Sequence, residues 1–226
     1  MRIVKEHDVR KKEILDKAAN LFVAKGYSKS TVNDIINAVG IAKGTFYYYF
    51  KSKEEVMDAL IMNFVSYSAD IIAKNVNEPG KTAMQKFKDI NDRNYRVVPG
   101  FNEMFLELQY SNNAEMQYKV ILKTIKKISP LLARLVRQGI AEGVFKTEYP
   151  DEFAELLMLF SQFIFENDVF GFSAKTLGKK AKATASFMEN ILGVKKGSFD
   201  FVAHRYANLN KKNTKSPHRN ESNPIS

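Results

Sequence analysis

Residues 31–53 read TVNDIINAVGIAKGTFYYYFKSK, and this stretch decides the fold. Two short segments meet at Gly40, and the turn of about 3–4 residues between them is typical of a helix-turn-helix. Thr31 suits the N-cap of the first segment, because Asp34 follows three residues later in a capping-box arrangement. The apolar residues of this segment recur at helical spacing, at Val32, Ile35, Ile36 and Val39. We therefore predict helices over 31–39 and 42–50.

The second segment, AKGTFYYYF, has two faces of different chemistry. At about 100° per residue, Phe46, Tyr49 and Phe50 share one side, which we expect to pack on the preceding helices. The residues that turn away from this side are small, cationic or hydroxyl-bearing: Lys43, Gly44, Thr45, Tyr47 and Tyr48. Such a face suits the major groove, although exposed tyrosine and lysine on a short helix are also typical of an ordinary solvated surface.

Each outward residue offers a contact to DNA. Gly44 allows the backbone to approach closely, and Lys43 can reach a guanine edge or a phosphate. Thr45 can contact a thymine methyl group or a phosphate, while the two tyrosines can donate to phosphate oxygens. Thr31 and Lys53 lie at the starts of the flanking helices, where an amide, a hydroxyl and an ammonium can converge on one phosphate.

Helical periodicity continues along the rest of the chain, and we find no run with the alternation of a β-hairpin. Ser52 and Glu55 form a second capping box, which predicts the start of a long helix. Pro130 lies inside a helical segment, where it predicts a kink or a split. We predict an all-α fold with helices at 10–25, 31–39, 42–50, 52–76, 81–97, 101–112, 115–142, 151–170 and 174–192.

The residue types exclude several chemistries. The chain of 226 residues has no cysteine, and its three histidines are His7, His204 and His218. A thiol nucleophile, a disulfide, and a histidine or zinc site within the body of the fold are therefore excluded. We expect no enzyme and no metal or other cofactor. No signal peptide and no apolar run of about 20 residues is evident, so we expect a cytoplasmic protein without membrane contact.

The net charge of +10 is concentrated at the two ends of the chain. Residues 1–53 carry 11 Lys/Arg against 5 Asp/Glu, and residues 195–226 carry 7 against 2, whereas the middle is close to neutral. A basic N-terminal module indicates nucleic-acid binding, although a solvated charged surface gives the same pattern. From about Asn208 the polar, basic tail is expected to be disordered, and either adds nonspecific DNA affinity or only solubility.

The stretch from about residue 10 to residue 60 resembles the TetR family of bacterial transcriptional regulators. The combination of matching elements is specific, although no single element is: Ile14-Leu15, Ala18-Ala19, Leu21-Phe22, Lys25-Gly26-Tyr27, Ser30-Thr31-Val32, Asp34-Ile35, Gly40-Ile41, Lys43 to Phe50 and Ser52 to Glu55. Carried over position by position, the resemblance implies DNA contacts by Thr31, Lys43, Gly44, Thr45, Tyr47, Tyr48 and Lys53. The position of Tyr47 is a near-fixed phosphate-contacting tyrosine in the family.

The resemblance also implies an architecture and partners. A three-helix helix-turn-helix domain (1–52) would be joined to a helical ligand-binding and dimerisation domain (53–194), followed by a basic extension (195–226). The expected function is that of a repressor, a homodimer on a pseudo-palindromic operator in double-stranded DNA, released by a small-molecule effector of unknown identity. The sequence itself does not give the sign of regulation.

Two sets of apolar residues acquire a role from this resemblance. Aromatic and methionine residues at helical spacing are usually ordinary core, but here some would line a ligand cavity: Phe64, Tyr67, Phe87, Tyr95, Phe101, Met104, Phe105 and Phe163. The last two helices would form a four-helix dimer interface with their copies, through Phe153, Leu157, Phe160, Ile164, Met188, Ile191 and Leu192. Alternatively, both helices bury these faces within one subunit. A DNA-binding protein without a ligand, acting through protein partners, remains a further alternative.

Overall fold

The structure is a computed structural model that describes residues 2–92, 114–163 and 173–203. The helices in these ranges are α1 (Arg2–Lys25), α2 (Val32–Val39), α3 (Lys43–Tyr49), α4 (Lys53–Val76), α5 (Ala83–Asp92), α6 (Ala114–Ala141), α7 (Pro150–Phe163) and α8 (Ala174–Leu192). No strand occurs within the described ranges, so the all-α prediction is confirmed.

The chain divides into two compact units, which we describe separately. Unit 1 comprises residues 1–74 and 94–131, and unit 2 comprises residues 75–93 and 132–226. Two of the three boundaries fall within helices, near the end of α4 and in the middle of α6, and the third, at 93/94, lies outside the described residues. The domain limits that we predicted at residues 52/53 and 194/195 remain predictions.

Unit 1 is built around a core contributed by α1 to α4. Phe22, Ile35 and Phe46 are completely buried, one from each of the first three helices. The core continues along α4, and α6 adds Val120 to it. Full burial of one such side chain stabilises the fold by about 1.5–3 kcal/mol, so α1, α2 and α3 are held together by their apolar faces.

Glycines place the C-terminal ends of α1 and α2 as predicted. Gly40 ends α2 in the left-handed conformation, with φ 76°, and its amide donates to the carbonyl of Ile36. Gly26 follows α1 with φ 84°. The first helix differs from the prediction, because it begins at Arg2 rather than near residue 10. Its apolar stripe starts only at Ile14, so apolar periodicity could not reveal the earlier turns.

Unit 2 contains an aromatic cluster and a buried polar network. The Phe87 ring centre lies 5.9 Å from that of Phe145 and 5.7 Å from that of Phe199. Phe199 is fully buried, and the Glu189 carboxylate accepts hydrogen bonds from its amide (3.0 Å) and from that of Gly197 (2.8 Å). Within the predicted basic extension, Phe199, Val202 and Ala203 are therefore buried in unit 2. Residues 204–226 lie outside the described ranges.

Two further expectations concern α6 and α4. Pro130 lies inside the continuous helix α6, so the predicted split does not occur, and the predicted kink stays a prediction. We expected no segment that could span a bilayer. Among the helices of the described residues, however, α4 alone has the length and apolar composition to do so. Its Val56, Leu60 and Val65 are buried in the core of unit 1, so packing accounts for its apolar composition.

Candidate nucleic-acid interface

The start of α2 is held by a capping box around Thr31. The Thr31 hydroxyl accepts from the Asp34 amide at 3.1 Å, and the Thr31 amide donates to the Asp34 carboxylate at 2.8 Å. Lys25 donates to the same carboxylate at 2.5 Å. The Lys25 ammonium, followed by the amide and hydroxyl of Thr31, lowers the pKa of Asp34 to about 2. The exposed Thr31 is therefore fixed at the helix N-terminus.

Helix α3 presents the two faces that its sequence predicts. Phe46 and Phe50 are buried in the core of unit 1, with Tyr49 half-buried beside them. Tyr47 is 46% exposed and Tyr48 is 73% exposed. Lys43 and Gly44 are exposed and Thr45 is half-buried.

Gly44 has open space around it, unlike Gly139 in α6. A Cβ added at Gly44 would meet no protein atom within 4 Å, so no contact inside the protein requires a glycine here. Glycine in a helix costs about 0.5–1 kcal/mol relative to alanine. The outward side of α3 therefore has no side chain at Gly44 and carries Lys43, Tyr47 and Tyr48 around it. A groove of DNA can approach such a surface closely.

Lys53 lies where we predicted it, in the first turn of α4, but its ammonium has protein partners. Its Nζ donates to the carbonyl oxygens of Tyr27 (2.9 Å) and Ser30 (2.8 Å). It also lies 4.2 Å from the centre of the Tyr27 ring. Lys53 thus fixes the turn that precedes Thr31, a role that the sequence did not reveal, and one of its three donors remains for a phosphate.

Sequence reasoning also missed two residues of α1. The His7 ring centre lies 5.7 Å from that of Tyr48 and 4.7 Å from that of Tyr49. The Lys11 ammonium lies 5.6 Å from the centre of the Phe50 ring. Residues 7 and 11 share a helix face with Ile14, but neither is apolar, so the apolar stripe of α1 did not reveal them.

The electrostatics of this face favour an anion. The chain to residue 53 carries a net charge of +6, from 11 Lys/Arg against 5 Asp/Glu. Within the described residues, no group of three or more His, Cys, Asp or Glu side chains could hold a metal ion. The arrangement of α1 to α4 can therefore bind a polyanion through side-chain cations, hydroxyls and backbone.

The residues predicted to line a ligand cavity are distributed over both units. Phe64 packs against the core of unit 1, and Tyr67 is 45% exposed. Phe87 belongs to the aromatic cluster of unit 2. The side chains of the remaining members lie outside the described set: Tyr95, Phe101, Met104, Phe105 and Phe163. The cavity assignment therefore stays a prediction.

One polar residue in unit 2 lacks hydrogen-bond partners. Asn75, near the end of α4, is 1% exposed, and among the described residues neither its amide nitrogen nor its side-chain oxygen has a hydrogen-bond partner. A buried amide group without partners costs about 1–3 kcal/mol. Ordered water or a ligand can satisfy such a group, and no sequence pattern pointed to it.

A buried hydrogen-bond network next to Asn75 holds the end of α4. The buried Lys86 donates to the carbonyl of Val76 at 2.7 Å and to the side-chain oxygen of Gln138 at 2.9 Å. Gln138 in turn donates to Glu142, whose carboxylate accepts from the Ala83 amide at the start of α5. The last turn of α4 is thereby fixed to α5 and α6 within unit 2.

The predicted dimer face remains a prediction, and its members differ in exposure. Phe153, Met188 and Leu192 are 1%, 3% and 0% exposed within the single chain. Leu157, Phe160 and Ile191 are half-buried, and Ile164 lies outside the described residues. Leu156 and Leu159 on α7 are 40% and 38% exposed instead. The Phe160 ring lies 5.1 Å from that of Phe187 and joins this surface to α8.

Comparison with known proteins agrees with this geometry. Residues 14–60 match the family of bacterial regulatory proteins of the tetR type, and residues 98–189 match the tetracyclin repressor-like C-terminal domain. The HTH-type transcriptional repressor KstR2 of Mycobacterium tuberculosis is 26% identical over 154 residues, 65% of this chain and 74% of that protein.

Two solved structures share the fold. A TetR-family regulator from Mesorhizobium loti, described as putative, superimposes with a TM-score of 0.58 and 15% identity, covering 90% of this chain and 95% of its own. A gamma-butyrolactone receptor, an ArpA-like protein, gives a TM-score of 0.55 and 16% identity, covering 89% and 98%. At these identities the likeness establishes the fold alone.

Proposed function

Because the chain belongs to the TetR family of bacterial regulatory proteins, we propose that it is a sequence-specific DNA-binding repressor whose operator binding is relieved by a small molecule. The observation that carries this proposal is the outward face of α3, where exposed Lys43, Tyr47 and Tyr48 surround an open Gly44. A DNA-binding regulator of this kind works in the cytoplasm, where the chromosome lies.

In the proposed complex, α3 is the recognition helix and lies in the major groove. Lys43 and Thr45 contact base edges and thus determine sequence preference, since only base contacts carry sequence information directly. Tyr47 and Tyr48 donate to phosphate oxygens, and Thr31 offers a phosphate the N-terminus of α2. Lys53 positions that N-terminus by holding the carbonyls of Tyr27 and Ser30.

We propose a homodimer that pairs the outer faces of α7 and α8 with their copies. The exposed Leu156 and Leu159, together with the half-buried Phe160 and Phe187, supply the apolar surface. Each copy of such a dimer carries one recognition helix, and two recognition helices can meet successive major grooves about 34–36 Å apart. The operator is then a pseudo-palindrome in double-stranded DNA.

The effector site is proposed in unit 2, and Asn75 supports it. An effector that carries a hydrogen-bond donor and an acceptor would satisfy both unpaired atoms of this buried amide. Helix α4 carries Lys53 in its first turn and Asn75 near its last, so one continuous helix connects the two residues. An effector that binds more tightly to the conformer unable to hold DNA weakens operator binding by that difference in affinity.

The substitution Gly44→Ala tests the DNA-binding face directly. Added Cβ atoms at Gly44 and at Gly178 of α8 both meet no protein atom within 4 Å, so Gly178→Ala is a matched control. We expect both variants to melt at or above the wild-type temperature, because alanine favours a helix. The probe is a duplex enriched by the wild-type protein from a random-sequence pool.

Only Gly44→Ala should lose affinity for this duplex, by at least about 10-fold, since its methyl group would stand between the helix and the groove. If Gly44→Ala binds the duplex as tightly as wild type does, α3 does not approach DNA closely at this position. Failure of the wild-type protein to enrich any duplex would contradict the proposed function as a whole.

A further inference from the structure

We infer that α1 is a second DNA-contacting element, in which His7 holds Tyr48 in place and Lys11 binds a backbone phosphate beside α3. This inference rests on the proposed function and extends the interface beyond the helix-turn-helix. It assigns roles to two described residues of α1 that lie at the edge of the DNA-binding face.

His7 contacts the most exposed aromatic residue of the recognition helix. Tyr48 is 73% exposed, and its ring lies edge-on to His7 at 5.7 Å and to Tyr49 at 5.0 Å. His7 also lies 4.7 Å from Tyr49, so the three rings contact one another. Such ring contacts restrict the rotamers of Tyr48 before DNA arrives, which lowers the entropy lost on binding.

Lys11 lies one helical turn after His7, on the same side of α1. Its ammonium is 5.6 Å from the centre of the Phe50 ring, at the residue that caps the end of α3. His7 and Lys11 therefore line α3 from Tyr48 to Phe50. A phosphate that follows Tyr48 along the groove edge would lie within reach of the flexible lysine side chain.

The neighbouring charges distinguish Lys11 from other cations of α1. Arg10 is paired with Glu13 at 2.5 Å, so its charge is already partly balanced. Lys11, which is half-buried, instead meets the face of a ring, which attracts the cation. Exchange of this ring contact for a phosphate contact favours DNA binding through release of condensed counterions.

The experiment measures affinity for the enriched duplex as a function of salt. His7→Ala should weaken binding about 3- to 10-fold without changing the salt slope, because it removes a ring and no phosphate contact. His7→Phe keeps the ring contact and should restore most of the affinity. In a Tyr48→Ala background, His7→Ala should have little further effect.

Lys11→Gln should lower the slope of log K against log salt by about one, as expected for one lost phosphate contact. Lys12→Gln is the matched control, because Lys12 is exposed and turned about 100° away on the same helix. Melting temperatures of all variants report any loss of folding.

Each inferred role has a result that would overturn it. If wild type binds the duplex and His7→Phe is as weak as His7→Ala, the ring contact is not the reason for the effect. An unchanged salt slope for Lys11→Gln, or equal changes for Lys11→Gln and Lys12→Gln, rules out the phosphate contact. Failure of wild type to bind any duplex is instead a failure of the proposed function.

Discussion

The Lys53 ammonium donates to the main-chain carbonyl of Tyr27 at 2.9 Å and lies over the same residue's ring at 4.2 Å. A second bond, to the Ser30 carbonyl, closes the turn between α1 and α2 from the first turn of α4. Thr31 follows Ser30 directly and caps α2. Helix α4 therefore determines where the N-terminus of α2 lies, whether or not Lys53 itself contacts DNA.

Removal of this cation should loosen the turn before α2. We expect Lys53→Met to lower the free energy of unfolding by about 1–3 kcal/mol, because two carbonyl groups lose charged donors. Lys51→Met, an exposed neighbour, should change it by less than about 0.5 kcal/mol. Urea denaturation measures both.

The salt dependence of DNA binding separates the two roles of Lys53. An unchanged slope of log K against log salt indicates that Lys53 acts by positioning, whereas a slope lower by about one indicates a direct phosphate contact as well. If the free energy of unfolding of Lys53→Met equals that of wild type, the two hydrogen bonds of Lys53 do not stabilise the turn.

Asp34 makes the stability of the helix-turn-helix depend on acid pH. Its pKa is lowered from 3.8 to about 2, first by the hydrogen bond from Lys25 and then by the amide and hydroxyl of Thr31. The ionised carboxylate is thus favoured in the folded state. Its stabilising contribution is complete above about pH 4 and is lost as the pH falls from about 4 to 2.

The substitution Asp34→Asn isolates this contribution from those of the other carboxylates. The difference in melting temperature between wild type and Asp34→Asn should be constant above pH 5 and shrink as the pH falls towards 2. Asp16→Asn, on an exposed site of α1, serves as the control. A difference that does not vary with pH would contradict the assignment.

The sequence predicted those parts of the fold that depend on local chemistry. Thr31 with Asp34 fixed the start of α2, and Gly40 fixed its end, because a cap satisfies backbone groups within a few residues. The faces of α3 followed from angular spacing alone. Lys53 was placed correctly, but its partners lie 23 and 26 residues away in sequence, and no local rule predicts such contacts.

Burial of the wide apolar face of α7 could not be predicted in the same way. Periodicity shows which residues share a side of a helix, whereas the neighbouring helices determine which part of that side is covered. Phe153 and Met158 are covered within unit 2, while Leu156 and Leu159, rotated around the helix, are not. Asn75 was not predicted, because a single asparagine in an apolar helix belongs to no motif or spacing that would indicate its burial.

Gly139 in α6 should tolerate no side chain. A Cβ added there would lie 2.0 Å from the Phe145 ring, which is buried against Phe87 and Phe199 and cannot move aside. We expect Gly139→Ala to lower the free energy of unfolding by about 1–3 kcal/mol, despite the better helix propensity of alanine. Gly178→Ala, where space is open, should raise it by about 0.5–1 kcal/mol. Equal stabilisation of both variants in urea denaturation would show that the aromatic cluster is not tightly packed.

The proposed dimer depends on apolar side chains that the single chain leaves exposed. Leu156 and Leu159 lie on one side of α7, and glutamate at both positions would bring two charges per chain into the interface. We expect the double variant Leu156→Glu with Leu159→Glu to sediment with the mass of one 25.8 kDa chain, whereas wild type sediments as two. Leu122→Glu, a leucine of equal exposure (38%) in unit 1, is the matched control and should stay dimeric.

DNA binding supplies the second measurement on the same variants. A monomer carries one recognition helix, so the double variant should bind a full pseudo-palindrome no more tightly than a half-site, while the control should prefer the full site strongly. Melting temperatures establish that the double variant is folded. A folded double variant that remains dimeric would place the interface elsewhere than α7, and a wild type that sediments as a single chain would remove the basis for a palindromic operator.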